Sequence, residues 1–592
     1  MRAKKGCEAL GRFNLLDEPW ISVVVDRKGT VREISLKKVF EEAHLIRGLA
    51  GDMRAQDFAI LRLLLAVMHT VFSRVDVDGN PHPGIFLKER WIQDENVPKN
   101  MLDKYGPSLF QTWKRLWNRR SCPKCVIEYL EMWRDSFFLF DENRPFYQVT
   151  KDVLEKGNPS KAMGSEVFGK NVNRLISESR NKVALFSPKT ADHGNKEKLT
   201  DSQLARWLVM FQGYCGEPDK AYFGEEKYMK NTKGWLFELG GIYAEGDTLF
   251  ETLLLNLVLV PSEKSYVGKV ERPAWERTGE EIVLDALAYR NTLRTINNIA
   301  ELYTLWSRAI YIDPETDMKE SFSFRSVKLP AIRYRDYFFE PMTLWIYNKK
   351  NKDKNHYTAR KHTPEQALWR SFGLLADYGS TEENQVPPGI VSWLRRTIVK
   401  KTIQDHRIRI NAVGMEDKQG TPISEIYDGL SVSTMLLTDI EADKTGWENR
   451  ITKIVEMTNE VIGWTYRSFM SEMKVIRNLS NENFVSSAVE ELYYKVDKPF
   501  RLWISSIEPG DSMEKKEKEW RITLKKLVKK QVDEFVRSAG PRDYIGIIEK
   551  GGEGNKEENA ERVRNIATAY NTFSYFLNRK LNVKEGSGGK SR

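Results

Sequence analysis

The stretch GWENRITKIVEMTNEVIGWTYRSFMSEMKVIR (446–477) decides how the second half of this 592-residue chain is read. Trp447, Ile451, Ile454, Val455, Ile462, Thr465 and Phe469 recur every three to four residues, which sets them on one stripe of an α-helix. A second stripe covers Glu482–Ile507, where Pro499 is expected to kink or split the helix. A third, Met513–Ser538, aligns Trp520, Leu524, Leu527, Val528, Val532 and Phe535. A fourth, Glu557–Leu581, aligns Val563, Ile566, Tyr570, Phe573, Leu577 and Leu581. Four amphipathic helices on modest connections predict a four-helix bundle over 441–583, followed by a disordered tail, 584–592.

Upstream of the bundle the pattern is mixed. WISVVVD (20–26) and VREIS (31–35) flank a turn at Lys28–Gly29 and predict a hairpin. Asp57–Val71 follows as an amphipathic helix with Phe58, Leu61, Leu65 and Met68 on one side. FSFRSVKL (322–329), TLWIYN (343–348) and RIRINAV (407–413) alternate at strand period. Long loops are expected at Ser179–Leu199 and Gly213–Gly234, and loops of that length are usually functional. The predicted fold class is α+β: a flexible extension, 1–12, a large mixed domain, 13–440, and then the bundle.

Lys and Arg number 93 against 83 Asp and Glu, a net +10 that permits a polyanion partner without demanding one. Only four cysteines in this length argue for a reducing compartment rather than a disulfide framework. The basic N-terminus leads into no apolar signal core. The strongest apolar runs, Ala59–Phe72 (broken by Arg62) and Leu253–Val260, are too short to predict a membrane span. A cytoplasmic protein with no membrane partner is expected.

Most chemistry is missing from the sequence. No P-loop occurs; the nearest lookalike, Gly588–Ser591, lacks the first glycine and lies in the tail. The seven histidines do not cluster, and His356 and His362 read as surface residues beside a lysine-rich turn. Cys122 and Cys125 have zinc-ligand spacing, but no second pair completes four ligands, so they read as small apolar residues at a helix start. The expectation is a non-enzyme with no cofactor and no metal.

RIRINAVGMEDKQGTPI (407–423) is the most informative local segment. Ile408, Ile410 and Ala412 alternate with Arg407, Arg409 and Asn411, giving one apolar and one polar or basic face. Gly414 precedes the tip EDKQ and Gly420-Thr-Pro follows it, the punctuation of a hairpin. By itself this reads as a polar hairpin tip.

Five blocks, in order, carry a family resemblance: FNLLDEPWISVVVDRKGTVREISL (13–36), FFLFDENRPFYQV (137–149), LFETLLLNLVLVP (249–261), RPAW (272–275) and GWENRITKIVEMTNEVIGWTYR (446–467). They resemble the CasA proteins, large subunits of the type I-E CRISPR surveillance complex, Cascade. The resemblance implies a non-catalytic DNA-recognition subunit that reads the short motif flanking a target (the PAM) and wedges the duplex open. Guide RNA then reads the sequence by base pairing. The implied partners are guide CRISPR RNA, double-stranded target DNA, the backbone and small subunits of Cascade, and either a helicase–nuclease effector or a nuclease fused to a subunit.

The resemblance also implies site residues. Gln419 at the hairpin tip matches the family's wedge, with Lys418 beside it for a phosphate and Gly420 allowing close backbone approach. A glycine-rich, minor-groove loop matches Gly213–Gly224, where Gly213, Gly216 and Gly224 remain and Lys220 enters the centre. The family's groove-reading lysine falls on Ser321, with Lys319 two residues earlier. A loop that engages guide RNA and a neighbouring subunit matches Asn181–His193, with Asn181 at its start and Phe186 as the anchor. Arg407 and Arg409 on the ribbon, and Arg521, Lys525 and Lys529 on the third bundle helix, complete the expected DNA contacts. Two other readings stay open on residues alone: a general nucleic-acid-binding factor outside CRISPR, and a helical scaffold or regulatory protein.

Overall fold

The computed structural model describes residues 11–160, 163–168, 199–216, 221–224, 227–230, 232–318, 323–337, 339–347, 356–375, 385–400, 402–404, 406–418, 421–439, 446–549 and 562–581. The chain is α+β and divides into two compact units. One is drawn from Met1–Gln366, Ser380–Ile403 and Ile408–Gly429; the other from Ala367–Gly379, Gln404–Arg407 and Leu430–Arg592.

The first unit is organised around the helix Arg54–Arg74. The sequence pattern predicts one buried side, but every residue from Ala55 to Arg74 is buried. The reason is tertiary: helices Asp201–Tyr214, Ile299–Tyr303, Lys124–Met132 and Leu249–Asn256 surround it. At 21 residues the helix has the length and composition of a membrane span, yet it is wholly enclosed by protein. Its arginines are paired in place. Arg62 makes a two-pronged ion pair with Glu340 (2.9 and 2.7 Å), and Arg74 does the same with Glu276 (2.7 and 2.9 Å). Such charges are tolerated inside a core only when fully paired and hydrogen-bonded. Trp235 Nε1 and the Met342 amide complete the shell of Glu340, and the Tyr129 hydroxyl donates to Glu276.

Small sheets make up much of the rest of this unit. Ile21–Val24 and Val31–Ile34 form the expected hairpin, joined at its other edge by Gly48–Leu49. Ser323–Lys328 lies between Ser165–Phe168 and Arg308–Tyr311, and Trp345–Tyr347 between Tyr357–Ala359 and Gln385–Val386. The two histidines read as surface residues are not at the surface. His356 is buried, and the half-buried ring of His362 lies 2.8 Å from the Gly241 carbonyl. Sequence spacing cannot show that Tyr357–Ala359, between the two histidines, is a strand of a three-stranded sheet.

The second unit is mainly helical. Trp447–Glu460 passes through a π-helical turn, Val461–Tyr466, into Arg467–Ile476. Asn483–Ser505 runs through Pro499 as one helix, so of the expected kink or split the split does not occur. Val496, Phe500 and Trp503 are buried on both sides of the proline. Met513–Arg537 contributes the stripe Trp520, Leu524, Val528 and Val532. The last helix is shorter than its stripe predicts, Ile566–Leu581, because Arg562–Arg564 pairs as a strand with Ile547–Glu549. Asn565 caps it: its Oδ1 accepts from the Thr568 amide at 3.0 Å, the usual signal for a helix start. Val563 therefore lies outside the stripe and is exposed.

An aromatic cluster forms this unit's core. Trp369 stacks on Phe500 at 4.3 Å, and Trp520 meets Phe500 edge-on at 4.9 Å. Offset and edge-to-face contacts of this kind add to the burial term. The Trp520 indole N–H is satisfied by Thr458 Oγ1 at 2.9 Å.

Candidate nucleic-acid interface

The hairpin read from sequence is a pair of long neighbouring strands, Arg407–Lys418 and Thr421–Ser433. A third strand, Gly241–Glu245, pairs with the first strand in the register Arg409↔Glu245 to Val413↔Gly241. From Gly414 to Lys418 the strand keeps only its hairpin neighbour in the sheet, although Gly414 and Met415 are still buried. Gly241 permits the close approach of the sheet to the core helix, since a Cβ there would lie 2.6 Å from the Phe58 ring.

The apolar face is as expected: Ile408, Ile410 and Ala412 are buried. The polar face is not free. Asn411 is fully buried, donating to Glu245 Oε2 at 2.9 Å and accepting from the Tyr427 hydroxyl at 3.0 Å. Arg409, though exposed, is laid along the sheet: its Nε donates to Asn411 Oδ1 at 3.1 Å, and its guanidinium fills the space a Cβ on Gly429 would need. Arg407 pairs with Glu508 at 3.2 Å.

Two braces that no sequence signal marks hold this ribbon. The Glu425 carboxylate accepts from the Ala55 amide at the N-terminus of the core helix, and Arg54 lies over the Tyr427 ring. Burial raises Glu425 to about 7 and neighbouring Asp57 to about 6. Nearer the tip, Lys361 Nζ reaches Asp417 Oδ1 at 3.0 Å and sits over the Phe237 ring at 4.5 Å. The strand ends at Lys418; Gln419 and Gly420 lie outside the described residues.

The expected glycine loop separates into different environments. Gly213 is not in a loop but in the last turn of Asp201–Tyr214, where a Cβ would meet Leu236 at 2.8 Å. Gly216 is buried, its carbonyl accepting from Arg308 at 2.7 Å. Gly224 has φ +80 and open space where a side chain would be, so it alone of the three combines left-handed backbone with free surface. Lys220, Lys319, Ser321, Asn181 and Phe186 lie outside the described residues.

On the helix Met513–Arg537 the lysines flank the buried stripe. Lys526, Lys529 and Lys530 are exposed, and Lys525 is half-buried. Arg521 is committed elsewhere, to Glu517 at 2.7 Å and to the Lys580 carbonyl at 3.0 Å. Cys122 and Cys125 flank Pro123 at the start of Lys124–Met132, where burial pushes both thiols up to about 12. Among the described residues no group of three or more His, Cys, Asp or Glu could hold a metal ion.

Fold and site together define a large α+β protein with a braced two-stranded arm, Ile408–Gly429 of which belongs to the first unit, and with a lysine-edged helix in the second. The chain belongs to the CRISPR-associated protein Cse1 family, whose model matches residues 14–531. A CasA/Cse1 protein of Thermus thermophilus is 29% identical over 371 residues, 62% of this chain and 61% of that relative. The crystal structure of Thermobifida fusca Cse1 superposes with a TM-score of 0.72 at 25% identity, covering 96% of this chain and 98% of that one. A chain of a CRISPR RNA-guided surveillance complex shares the fold, with a TM-score of 0.62 at 15% identity over 95% and 99% of the two chains.

Proposed function

We propose that this chain is the PAM-reading, strand-opening subunit of a type I-E RNA-guided surveillance complex, and that it carries no catalytic chemistry of its own. The observation that supports this most is the ribbon 407–433: two long strands held along their length by Asn411 and Glu425 and propped near the tip by Lys361. A wedge must transmit force to a stacked base pair without bending, and a two-stranded arm braced along its length meets that need. Gln419 is the wedge, with Lys418 holding a phosphate and Gly420 letting backbone approach. A glutamine amide can lie flat on the last pair and hydrogen-bond exposed base edges.

In this reading Gly224, with Lys220, faces the minor groove, and Lys319 or Ser321 reads the same groove. Asn181 and Phe186 meet guide RNA and a neighbouring subunit. Backbone and small subunits complete a cytoplasmic assembly, and target degradation falls to a separate helicase–nuclease or a subunit-fused nuclease.

The test uses the assembled complex with guide RNA. Replacing Gln419→Ala should slow opening of an intact duplex by roughly tenfold while leaving capture of a pre-melted target near wild type, since unstacking costs a few kcal/mol only in the duplex. Equal effects on both substrates would remove the wedge.

A further inference from the structure

The π-helical turn Val461–Tyr466 carries an exposed tryptophan, Trp464, at 49% exposure in a unit whose other tryptophans are buried. π-turns are rare and often mark functional positions. Trp464 meets Phe576 edge-on at 4.8 Å, and Phe576 meets exposed Tyr575 at 5.3 Å, so three rings form a continuous wall. The wall costs apolar exposure in water, and nothing among the described residues covers it.

The charges beside it are of one available sign. Arg467, one turn after Trp464, and Arg579, one turn after Tyr575, are exposed and make no ion pair or hydrogen bond among the described residues. Glu460, one turn before Trp464, is held by Lys580, and Glu472 by Arg564 at 2.8 Å. The Trp464 indole N–H likewise has no partner among the described residues. The patch continues into the lysine-edged helix, because Arg521 donates to the Lys580 carbonyl at 3.0 Å.

We propose that Trp464, Phe576 and Tyr575, flanked by Arg467 and Arg579, form a stacking platform for unpaired bases of single-stranded DNA. Aromatic faces accept any base, and free guanidinium groups hold the phosphates between them, the combination that binds single strands without sequence preference. The lysine helix then serves as the approach and the ring wall as the anchor. The inference rests on the strand-opening reading only for where the single strand comes from.

The experiment uses the full-length chain, a labelled oligothymidylate and an abasic oligonucleotide of equal length. The double variant Trp464→Ala, Tyr575→Ala should lose about tenfold in affinity for oligothymidylate and almost none for the abasic strand. Trp464→Phe should retain most of the binding. Photocrosslinking of a bromodeoxyuridine strand should map to peptides containing Trp464 or Tyr575. Equal loss on both oligonucleotides, no loss on either, or crosslinks confined elsewhere would overturn the platform. Because no duplex, PAM or guide is used, a silent Gln419→Ala variant would remove the wedge and leave this result standing, and the reverse pattern would sink the platform alone.

Discussion

Two long helices treat charge in opposite ways. Arg54–Arg74 buries Arg62 and Arg74 and matches each with a carboxylate that is itself fully hydrogen-bonded. Met513–Arg537 buries only its apolar stripe and leaves most of its lysines at the surface. A cation inside the first helix is a fixed part of the fold and cannot serve a partner. A cation on the second contributes little to stability and is free to meet a phosphate. Net charge alone hides this division; location decides what a basic residue is for.

The sharpest way to break the comparison is Glu340→Ala. It leaves the Arg62 guanidinium buried without its partner and should destabilise the first unit by about 3 to 5 kcal/mol, read by denaturant unfolding. An Arg62→Met, Glu340→Met pair should recover much of that loss. A second change tests the helical unit's neutral counterpart. Thr458→Val removes the acceptor of the Trp520 indole and should cost about 1 to 3 kcal/mol by the same measurement.

The ribbon's brace gives a pH signature. Burial raises Glu425 to about 7 and Asp57 to about 6, so the folded state holds these protons more tightly than the unfolded chain. Their contribution to stability is complete in acid and is lost as pH climbs from the ordinary carboxylate range to about 7. Glu425→Gln, which keeps an acceptor for the Ala55 amide, should flatten the fall in unfolding midpoint between weakly acidic and weakly basic buffer. An unchanged slope would show that the brace does not titrate.

The smallest stability effect is expected at the surface. Lys525→Gln with Lys529→Gln should alter unfolding by no more than about 0.5 kcal/mol. The same pair should weaken single-stranded DNA binding and lower its salt dependence by about two ions. Binding unchanged at low salt would mean these lysines are only solvated.

Much of the frame was legible in the residues. The stripes at Trp447–Phe469 and Trp520–Val532 are helical because period and burial agree, and the hairpin read at 407–423 follows from alternation and glycine punctuation. The misreadings share a cause. Helix Arg54–Arg74 looks one-sided until neighbours cover its far side, and Val563 keeps helical spacing although strand pairing claims it. Asn411 reads as an outward polar residue, yet Glu245 and Tyr427 close over it. At the candidate interface, Lys361 and Glu425 carry no local pattern. Their partners stand 56 and 370 residues away in the chain.

The order of residues by itself determined the α+β class, the helical character of the C-terminal region and the hairpin at 407–423. Each of those depends on periodicity and turn chemistry, which act between neighbours in sequence. Only the tertiary structure decided which charges are locked in pairs, which side chains brace the ribbon and which aromatic rings stand exposed beside free arginines. Those outcomes depend on burial and on contacts between distant segments, and a linear pattern does not encode distance in space.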